Sequence, residues 1–218
     1  MPIWPEQNVT QNLLAEARNG DRSAVNRLLE RHRTSLRKMI QLRLDHRLAQ
    51  RVDASDVVQD VLLEANTRLQ DYLSDPRIPF HLWLRQLAQD RVIDMHRRHR
   101  GAQRRSLDRE QSLAAPEFAD RSGFDLLGQL ADHELTPAAA SIRKELETRF
   151  LLALQQLDEE DREILLMRHF EHLGNSEVAV ALEMSPAAAG MRHLRALRKL
   201  RSILGECPSQ NGNPDASL

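Results

Sequence analysis

The sequence has few of the residues that mark several classes of protein. It contains a single cysteine, Cys207, among 218 residues, which excludes an internal disulfide and a zinc site built from cysteines. Aromatic residues make up only 4% of the chain, and glycine and proline are confined to a few places. No apolar run is long enough to cross a membrane, and the N-terminus lacks a signal-peptide pattern. We therefore expect an all-α protein that binds no membrane and stays in the cytoplasm.

The chain also lacks an excess of charge of either sign, since the formal net charge is −1. Charged residues nevertheless make up 29% of the sequence and are segregated along it. Residues 91–105 are basic, whereas residues 107–148 are acidic. Such asymmetry is more informative than the sum, because a basic segment can bind nucleic acid in a protein that is neutral overall.

Residues 158–204 carry the clearest pattern of the sequence. An acidic start at 158–161 suits the positive end of a helix dipole, and Asn175 or Ser176 can cap a short second helix. Ser185 and Pro186 then form a cap and a first helical residue, which predicts a third helix from Pro186 to about Leu204. A helical wheel assigns this third helix an apolar inner side with Met191, Leu194, Leu197, Leu200 and Leu204.

The outer side of the same helix is basic and small, with Ser185, Ala188, Arg192, Arg195 and Lys199. A short helix, a tight turn and a longer basic helix are typical of a helix-turn-helix, whose second helix enters the major groove of DNA. A surface hairpin with a solvated basic face is the simpler alternative.

Four carboxylates lie in one row on a helix predicted from residue 53 to residue 69, namely Asp53, Asp56, Asp60 and Glu64. The row could be a solvated face, a docking surface for a basic partner or a metal site. A metal-dependent hydrolase is the least favoured reading, because such enzymes gather carboxylates from more than one helix. His169 and His172 could join as ligands only if two domains met.

A loop with two prolines, 71–79, precedes a helix with a basic end. Apolar residues from Phe80 to Met95 keep helical spacing and predict a packed face. The arginines that follow favour contact with DNA phosphates, although a solvated helix end would have the same composition.

Three segments resemble one family, the RNA polymerase sigma factors of the extracytoplasmic-function (ECF) type. The segment LDEEDREILLMRHFEHLGNSEVAVALEMSPAAAGMRHLRALRKLR is similar to their fourth conserved region. The segments DASDVVQDVLLEA and PFHLWLRQLAQDRVIDMHRRHR resemble the second region, and they stand in the family's order. The chain departs from the family at Glu183, where glycine is common, and at Ala188 and Gly190, where threonine and lysine are frequent.

The resemblance implies two small helical domains joined by a flexible acidic linker. A region 2-like bundle would occupy 10–103, the linker 104–136, a region 4-like helix-turn-helix 137–204, and a disordered tail 205–218. The first domain would dock on the clamp coiled coil of core RNA polymerase through Asp53, Asp56, Gln59, Asp60 and Leu63. Promoter DNA would be bound by Arg77, Phe80, Arg91, Arg97, Arg98 and Arg100 in the first domain, and by Ser185, Ala188, Arg192, Arg195 and Lys199 in the second.

The resemblance also implies a protein without catalytic activity or cofactor, monomeric when free and in many cases held by an anti-sigma factor. The main alternative is a helix-turn-helix regulator that binds duplex DNA without polymerase. That alternative explains 158–204 but leaves the acidic helix and the arginines after it without a common purpose. Such regulators usually dimerise to match two half-sites, so the mass in solution separates the two hypotheses.

Overall fold

The computed structural model describes residues 3–44, 51–107 and 149–206, and within these ranges all regular structure is helical. The prediction of an all-α fold is confirmed. The helices are α1 (Gln7–Arg18), α2 (Arg22–Gln41), α3 (Ala54–Ser74), α4 (Phe80–Leu107), α5 (Glu159–Leu165), α6 (Asn175–Ala181) and α7 (Pro186–Glu206). Residues 149–156 are also helical, and a π-helical turn, Leu166–Phe170, follows α5. Most of the predicted linker and tail lie outside the described residues.

The described residues form two compact units. Unit 1 contains α1 to α4 together with the segment Phe170–Leu173, and unit 2 contains α5, α6 and α7. No helix in the described ranges is both long enough and apolar enough to span a bilayer. The exact domain boundaries expected from the sequence stay predictions.

Two helices of unit 1, α2 and α3, begin at aspartate caps. The Asp21 carboxylate accepts hydrogen bonds from the backbone N–H groups of Ser23 at 2.7 Å and Ala24 at 3.3 Å, and so starts α2. Asp53 accepts from the Ser55 N–H at 2.7 Å and starts α3. Each cap satisfies backbone donors that have no partner inside the helix, which is worth about 1 kcal/mol.

The core of unit 1 consists of the apolar stripes of its four helices. α2 packs on α1, α3 and α4, and α3 also packs on α4. The side chains that fill this core are large and apolar and include Leu28, Leu36, Met39, Ile40, Val57, Val58, Val61, Leu69, Phe80, Leu84, Leu87 and Val92. These are the residues that the helical periodicity of the sequence assigns to packed faces.

An aromatic cluster joins α2, α3 and α4 at one end of the bundle. The Tyr72 ring stacks on Trp83 with centroids 4.8 Å apart, and Phe80 meets His32 edge to face at 5.1 Å. The Tyr72 hydroxyl donates to the carbonyl oxygen of Ile78 at 3.0 Å. This hydrogen bond fixes the short proline-containing loop between α3 and α4 against the bundle.

His32 lies inside this cluster and is only 1% exposed. Its Nδ1 is 2.8 Å from the Leu28 carbonyl oxygen one helical turn earlier. Burial lowers the pKa of His32 to about 4, since the charged imidazolium would lose its hydration. The ring is therefore neutral at pH 7, and Nδ1 carries the proton that it donates to Leu28.

Unit 1 also contains a fully buried carboxylate, Glu171. Its side chain forms ion pairs with Arg43 and Arg85, and the Arg85 Nε lies 3.3 Å from Glu171 Oε2. Both guanidinium groups are almost fully buried. Such a group is stable only while all its charges are present, because removal of one partner leaves an uncompensated buried charge.

Unit 2 is a smaller bundle in which α7 packs on α5 and α6. Its core contains Leu154, Ile164, Leu165, Met167, Val178, Ala179, Ala189, Ala196 and Leu200. The α7 residues with the least exposure are two alanines, Ala189 and Ala196. Their small side chains allow the α7 backbone to approach its neighbours closely.

Candidate nucleic-acid and protein interfaces

α3 presents an exposed acidic face. We use this term for Asp53, Asp56, Gln59, Asp60 and Leu63, all of which are exposed. The opposite side of α3 is buried through its valines and Leu62, so the face is held on a rigid helix. Leu63 is 60% exposed, which is high for a leucine in a well-packed bundle. An apolar side chain surrounded by carboxylates and an amide is suited to contact with a basic protein surface.

Hydrogen bonds and ion pairs occupy part of the carboxylate row. Hydrogen bonds from Ser55, the strongest from its backbone N–H, hold the pKa of Asp53 below its usual value. Asp60 forms an ion pair with Arg91 of α4, and Glu64 pairs with Arg68 at 3.0 Å. In the part of the chain that the structure describes, no three histidine, cysteine or acidic side chains converge on a point where a metal ion could bind. The acidic face therefore has the character of a surface rather than a coordination site.

The residues expected to bind DNA in unit 1 are dispersed over several environments. Arg77 is exposed and its Nε donates to Asp75 at 2.7 Å, whereas the Arg91 guanidinium is directed to Asp60. Arg97 is exposed and lies 3.9 Å from Asp94. Arg98 is also exposed on α4. Arg100 lies in the same helix, and its side chain is outside the described ones.

Phe80 does not have the exposure that a base-stacking platform requires. It is only 2% exposed, and its ring contacts His32, Tyr72 and Trp83. The expectation that Phe80 stacks on a base is at odds with this position. The physical reason is that Phe80 is the first residue of α4 and its ring is directed into the bundle, where the hydrophobic gain is largest.

The turn between α6 and α7 is fixed by three hydrogen bonds. Asn175 Nδ2 donates to the Pro186 carbonyl oxygen at 2.8 Å and joins the starts of the two helices. The Met184 N–H donates to the Ala179 carbonyl oxygen at 2.9 Å, and the Ala188 N–H donates to the Ser185 hydroxyl oxygen at 3.2 Å. Ser185 thus caps α7. Glu183 adopts a left-handed conformation with φ 52°, at the position where the resembling family has glycine.

The buried side of α7 differs from the side that the sequence predicted. Its most buried residues are Ala189, Ala196 and Leu200, whereas Met191 is 58% exposed and Leu194 is 49% exposed. The prediction that Met191 and Leu194 belong to the inner side is wrong. Because the alanines permit a closer helix contact than leucine would, the packed side is centred on them. The exposed side holds Ala188, Met191, Leu194, Arg195 and Arg198.

Two of the basic residues expected to bind DNA are paired with carboxylates at the start of α5. Arg192 Nη2 lies 2.7 Å from Glu160, and Lys199 Nζ donates to Asp158 at 2.7 Å and also to Asp161. The hydrogen bonds from Lys199 and from the Asp161 N–H lower the pKa of Asp158. The same contacts to Asp158 and Asp161 raise the pKa of Lys199. The acidic start of α5 therefore binds the basic helix as well as capping its own N-terminus.

Two histidines of unit 2 meet between the π-helical turn and α7. His169 Nε2 and His193 Nε2 are 2.9 Å apart, so a single proton lies between the two rings. Burial, followed by the neighbouring His169 and Arg168, lowers the pKa of His193. The sequence grouped His169 with His172, and the structure pairs it with His193 instead.

The comparisons with known proteins agree with this arrangement. Residues 147–200 match the family model described as "Sigma-70, region 4". The chain is 29% identical over 193 residues to the RNA polymerase sigma factor CnrH of Cupriavidus metallidurans, with 88% of this chain and 92% of the relative covered. It is 28% identical to the ECF sigma factor SigD of Mycobacterium tuberculosis, with 87% and 81% covered.

The chain is therefore similar to RNA polymerase sigma factors of the ECF type over most of its length.

Solved structures of sigma factors share the fold of this protein. The structure of CnrH in complex with the cytosolic domain of CnrY superposes with a TM-score of 0.59 at 22% identity, and covers 92% of this chain and 99% of that one. The sigma factor RpoE in complex with NepR from Bartonella quintana gives a TM-score of 0.53 at 17% identity, with 84% and 98% covered. Both similarities concern the arrangement of helices.

Sequence reasoning missed several residues on the exposed side of α7. Met191, Leu194 and Arg198 lie beside Arg195, and none of them was assigned to an interface. Counting three and four residues in both directions from Arg195 would have found Met191 and Arg198.

Proposed function

We propose that this protein binds core RNA polymerase and directs transcription initiation at specific promoters, with unit 1 and unit 2 contacting different promoter elements. It performs no covalent chemistry itself and acts in the cytoplasm, where the polymerase is. The observation that carries the proposal is the extent of the similarity to sigma factors, 88% of this chain for CnrH, which includes both units. A helix-turn-helix regulator would share only unit 2.

The acidic face of α3 is the proposed docking surface for the polymerase. Its carboxylates are exposed, it lies on a helix fixed by a buried core, and Leu63 adds an apolar contact at its edge. Carboxylates beside an exposed leucine combine attraction of a basic partner with an apolar contact that helps to fix its orientation. The clamp coiled coil of the polymerase is the partner that the resemblance to region 2 implies for this helix.

The exposed side of α7 is the proposed DNA-contacting surface of unit 2. A helix that follows a tight turn and carries exposed arginines is suited to the major groove, where it can bind phosphates on either side. Arg195 and Arg198 are the exposed basic residues nearest to the N-terminal half of this helix.

The proposal includes an anti-sigma factor as a further partner. The similar structures are of CnrH with the cytosolic domain of CnrY and of RpoE with the anti-sigma factor NepR. A protein that covered the acidic face would compete with the polymerase for it.

The proposal is tested by reconstitution with bacterial core RNA polymerase and the variant Asp56→Lys. We expect a stoichiometric complex with the wild-type chain, a monomeric free protein, and at least a tenfold loss of core affinity in the variant. Asp56 is exposed, so its replacement leaves the bundle intact. Its charge reversal places a repulsive group at the centre of the acidic face.

Asp71→Lys is the matched control, since it makes the same charge change at an exposed position of the same helix, about 22 Å further along its axis. We expect it to bind core polymerase as the wild type does. Equal losses in the two variants would indicate long-range attraction rather than docking at the acidic face. A dimer that binds duplex DNA and no polymerase would contradict the proposed function.

A further inference from the structure

The exposed side of α7 is apolar where a DNA-reading helix usually carries hydrogen-bonding groups. Met191 and Leu194 are among the most exposed large apolar side chains of the described residues. Ala188 precedes Met191 by three residues and is also exposed, so the three form one strip along the helix. We call these three residues the apolar strip. An exposed strip of this kind on a rigid helix points to a binding surface.

The polar groups near the apolar strip are already engaged or absent. The Ser185 hydroxyl accepts from the Ala188 N–H, and Arg192 is directed to Glu160 on the other side of the helix. Gly190 has no side chain. The first two turns of α7 therefore offer few side chains that could form hydrogen bonds with base edges. Arg195 is the first exposed basic residue after these turns.

We propose that the apolar strip reads thymine methyl groups in the major groove of the upstream promoter element. This inference rests on the proposed function. The C5-methyl of thymine is the apolar group that the major groove displays, and it distinguishes an A·T pair from its reverse and from G·C pairs. Alanine, leucine and methionine side chains bury such a methyl without leaving a polar group unpaired.

Charge complementarity assigns this surface to DNA. Arg195 and Arg198 are exposed on the same side of α7 as the apolar strip, and Arg201 is exposed one turn later. Guanidinium groups bordering an apolar strip match a groove whose walls are phosphates and whose floor carries methyl groups. In this arrangement the arginines fix the position of the helix, and the apolar strip supplies the sequence preference.

The test uses holoenzyme assembled from core polymerase and the full chain. A promoter library randomised in the upstream element is selected for binding, and each enriched thymine is then replaced by deoxyuridine, which lacks only the methyl group. We expect at least one position at which this replacement weakens binding about fourfold, the effect of exposing one buried methyl. Loss of the methyl at the other positions should have no effect.

Variants of Met191 and Leu194 identify the side chains responsible. Met191→Gln and Leu194→Gln each place a polar amide at an exposed position, and at least one of them should bind thymine and uracil duplexes equally. The matched replacement Met191→Leu should retain the fourfold preference. Arg195→Gln should weaken binding to both duplexes alike, because phosphates are the same in each.

Three outcomes contradict the inference in different ways. If enriched sites tolerate deoxyuridine everywhere, methyl reading is wrong and the proposed function stands. If Met191→Gln and Leu194→Gln weaken holoenzyme assembly and leave DNA selection unchanged, the apolar strip binds the polymerase instead. If no holoenzyme forms, the proposed function fails, and the inference fails with it.

Discussion

Glu183 shows how one backbone angle determines which residue a turn prefers. Its φ of 52° lies in the left-handed region, where a Cβ crowds the backbone and glycine does not. We expect Glu183→Gly to raise the free energy of unfolding of unit 2 by about 1 kcal/mol. Equilibrium urea unfolding followed by circular dichroism measures the difference. Glu183→Ala is the control, and it should give no comparable gain because it retains the Cβ; an equal gain would show that strain is not the cause.

His32 gives unit 1 a dependence on pH. Because its pKa is about 4 in the folded state and about 6.5 in the unfolded chain, the unfolded state binds the proton more readily. Stability is thus complete above pH 6.5 and falls as the pH decreases towards 4, by up to about 3 kcal/mol. His81 and Arg31 lie near enough to disfavour the charged ring further.

Tryptophan fluorescence follows this loss, since both tryptophans of the chain, Trp4 and Trp83, lie in the aromatic cluster of unit 1. Urea midpoints should decrease between pH 7 and pH 4.5. The urea midpoint of the His32→Gln variant should change much less with pH, whatever the stability of this variant at pH 7. A slope unchanged by this substitution would assign the pH dependence to other groups.

The sequence predicted local features well at the level of single residues and side-chain direction less well. Ser185 was predicted to cap α7 and does so, since a cap depends only on neighbouring backbone donors. The exposure of Met191 was misjudged because it depends on which neighbouring helix the side chain meets. A helical wheel identifies a stripe but does not locate its centre where buried alanines bring the helices close together, as they do in α7.

At the scale of the helix, α7 is held to α5 by charges as well as by its alanines. Arg192 lies 2.7 Å from Glu160, and the guanidinium is mostly shielded from solvent while the carboxylate is exposed. We expect Arg192→Ala and Glu160→Ala each to destabilise unit 2 slightly. The double variant should be less destabilised than the sum, with a coupling of about 0.5 kcal/mol.

Urea unfolding of the four proteins completes this double-mutant cycle. Additive effects would mean that Arg192 is available to other partners, including DNA. Thr67→Ala is a suitable control, because Thr67 is exposed on α3 in the other unit. This substitution should leave the coupling energy between Arg192 and Glu160 unchanged.

Helix positions were the part of the fold most accessible from the sequence. The sequence located the helices over 53–69, 80–95 and 186–204, which correspond to α3, α4 and α7. The ion pairs were not accessible, because Asp60 with Arg91 and Lys199 with Asp158 join residues far apart in the chain. Nothing in local spacing distinguishes a surface arginine that binds DNA from one that binds a carboxylate.

At the scale of the molecule, the fold class and the similarity to sigma factors followed from the composition and the order of the segments. The acidic face was predicted because all its members lie on one helix and share one direction, and its role in docking stays a prediction. Met191 and Leu194 were assigned to the wrong side of α7, because the exposure of a residue depends on how α5, α6 and α7 pack together in unit 2.

The carboxylates at the start of α5 also affect how salt changes DNA binding. A protein cation that neutralises a phosphate releases condensed counterions, and the logarithm of affinity then falls with the logarithm of salt concentration by about 0.9 for each phosphate. Lys199 and Arg192 are already neutralised by Asp158, Asp161 and Glu160. They should therefore release no counterions on binding.

In holoenzyme binding measured over a range of salt concentrations, Arg198→Gln should reduce the slope by about 0.9, whereas Lys199→Gln should leave it unchanged. Equal reductions would mean that Lys199 leaves its carboxylates on DNA. If the slopes differ as expected, DNA binding by this protein tolerates ionic strength better than its five basic residues between positions 192 and 201 would suggest.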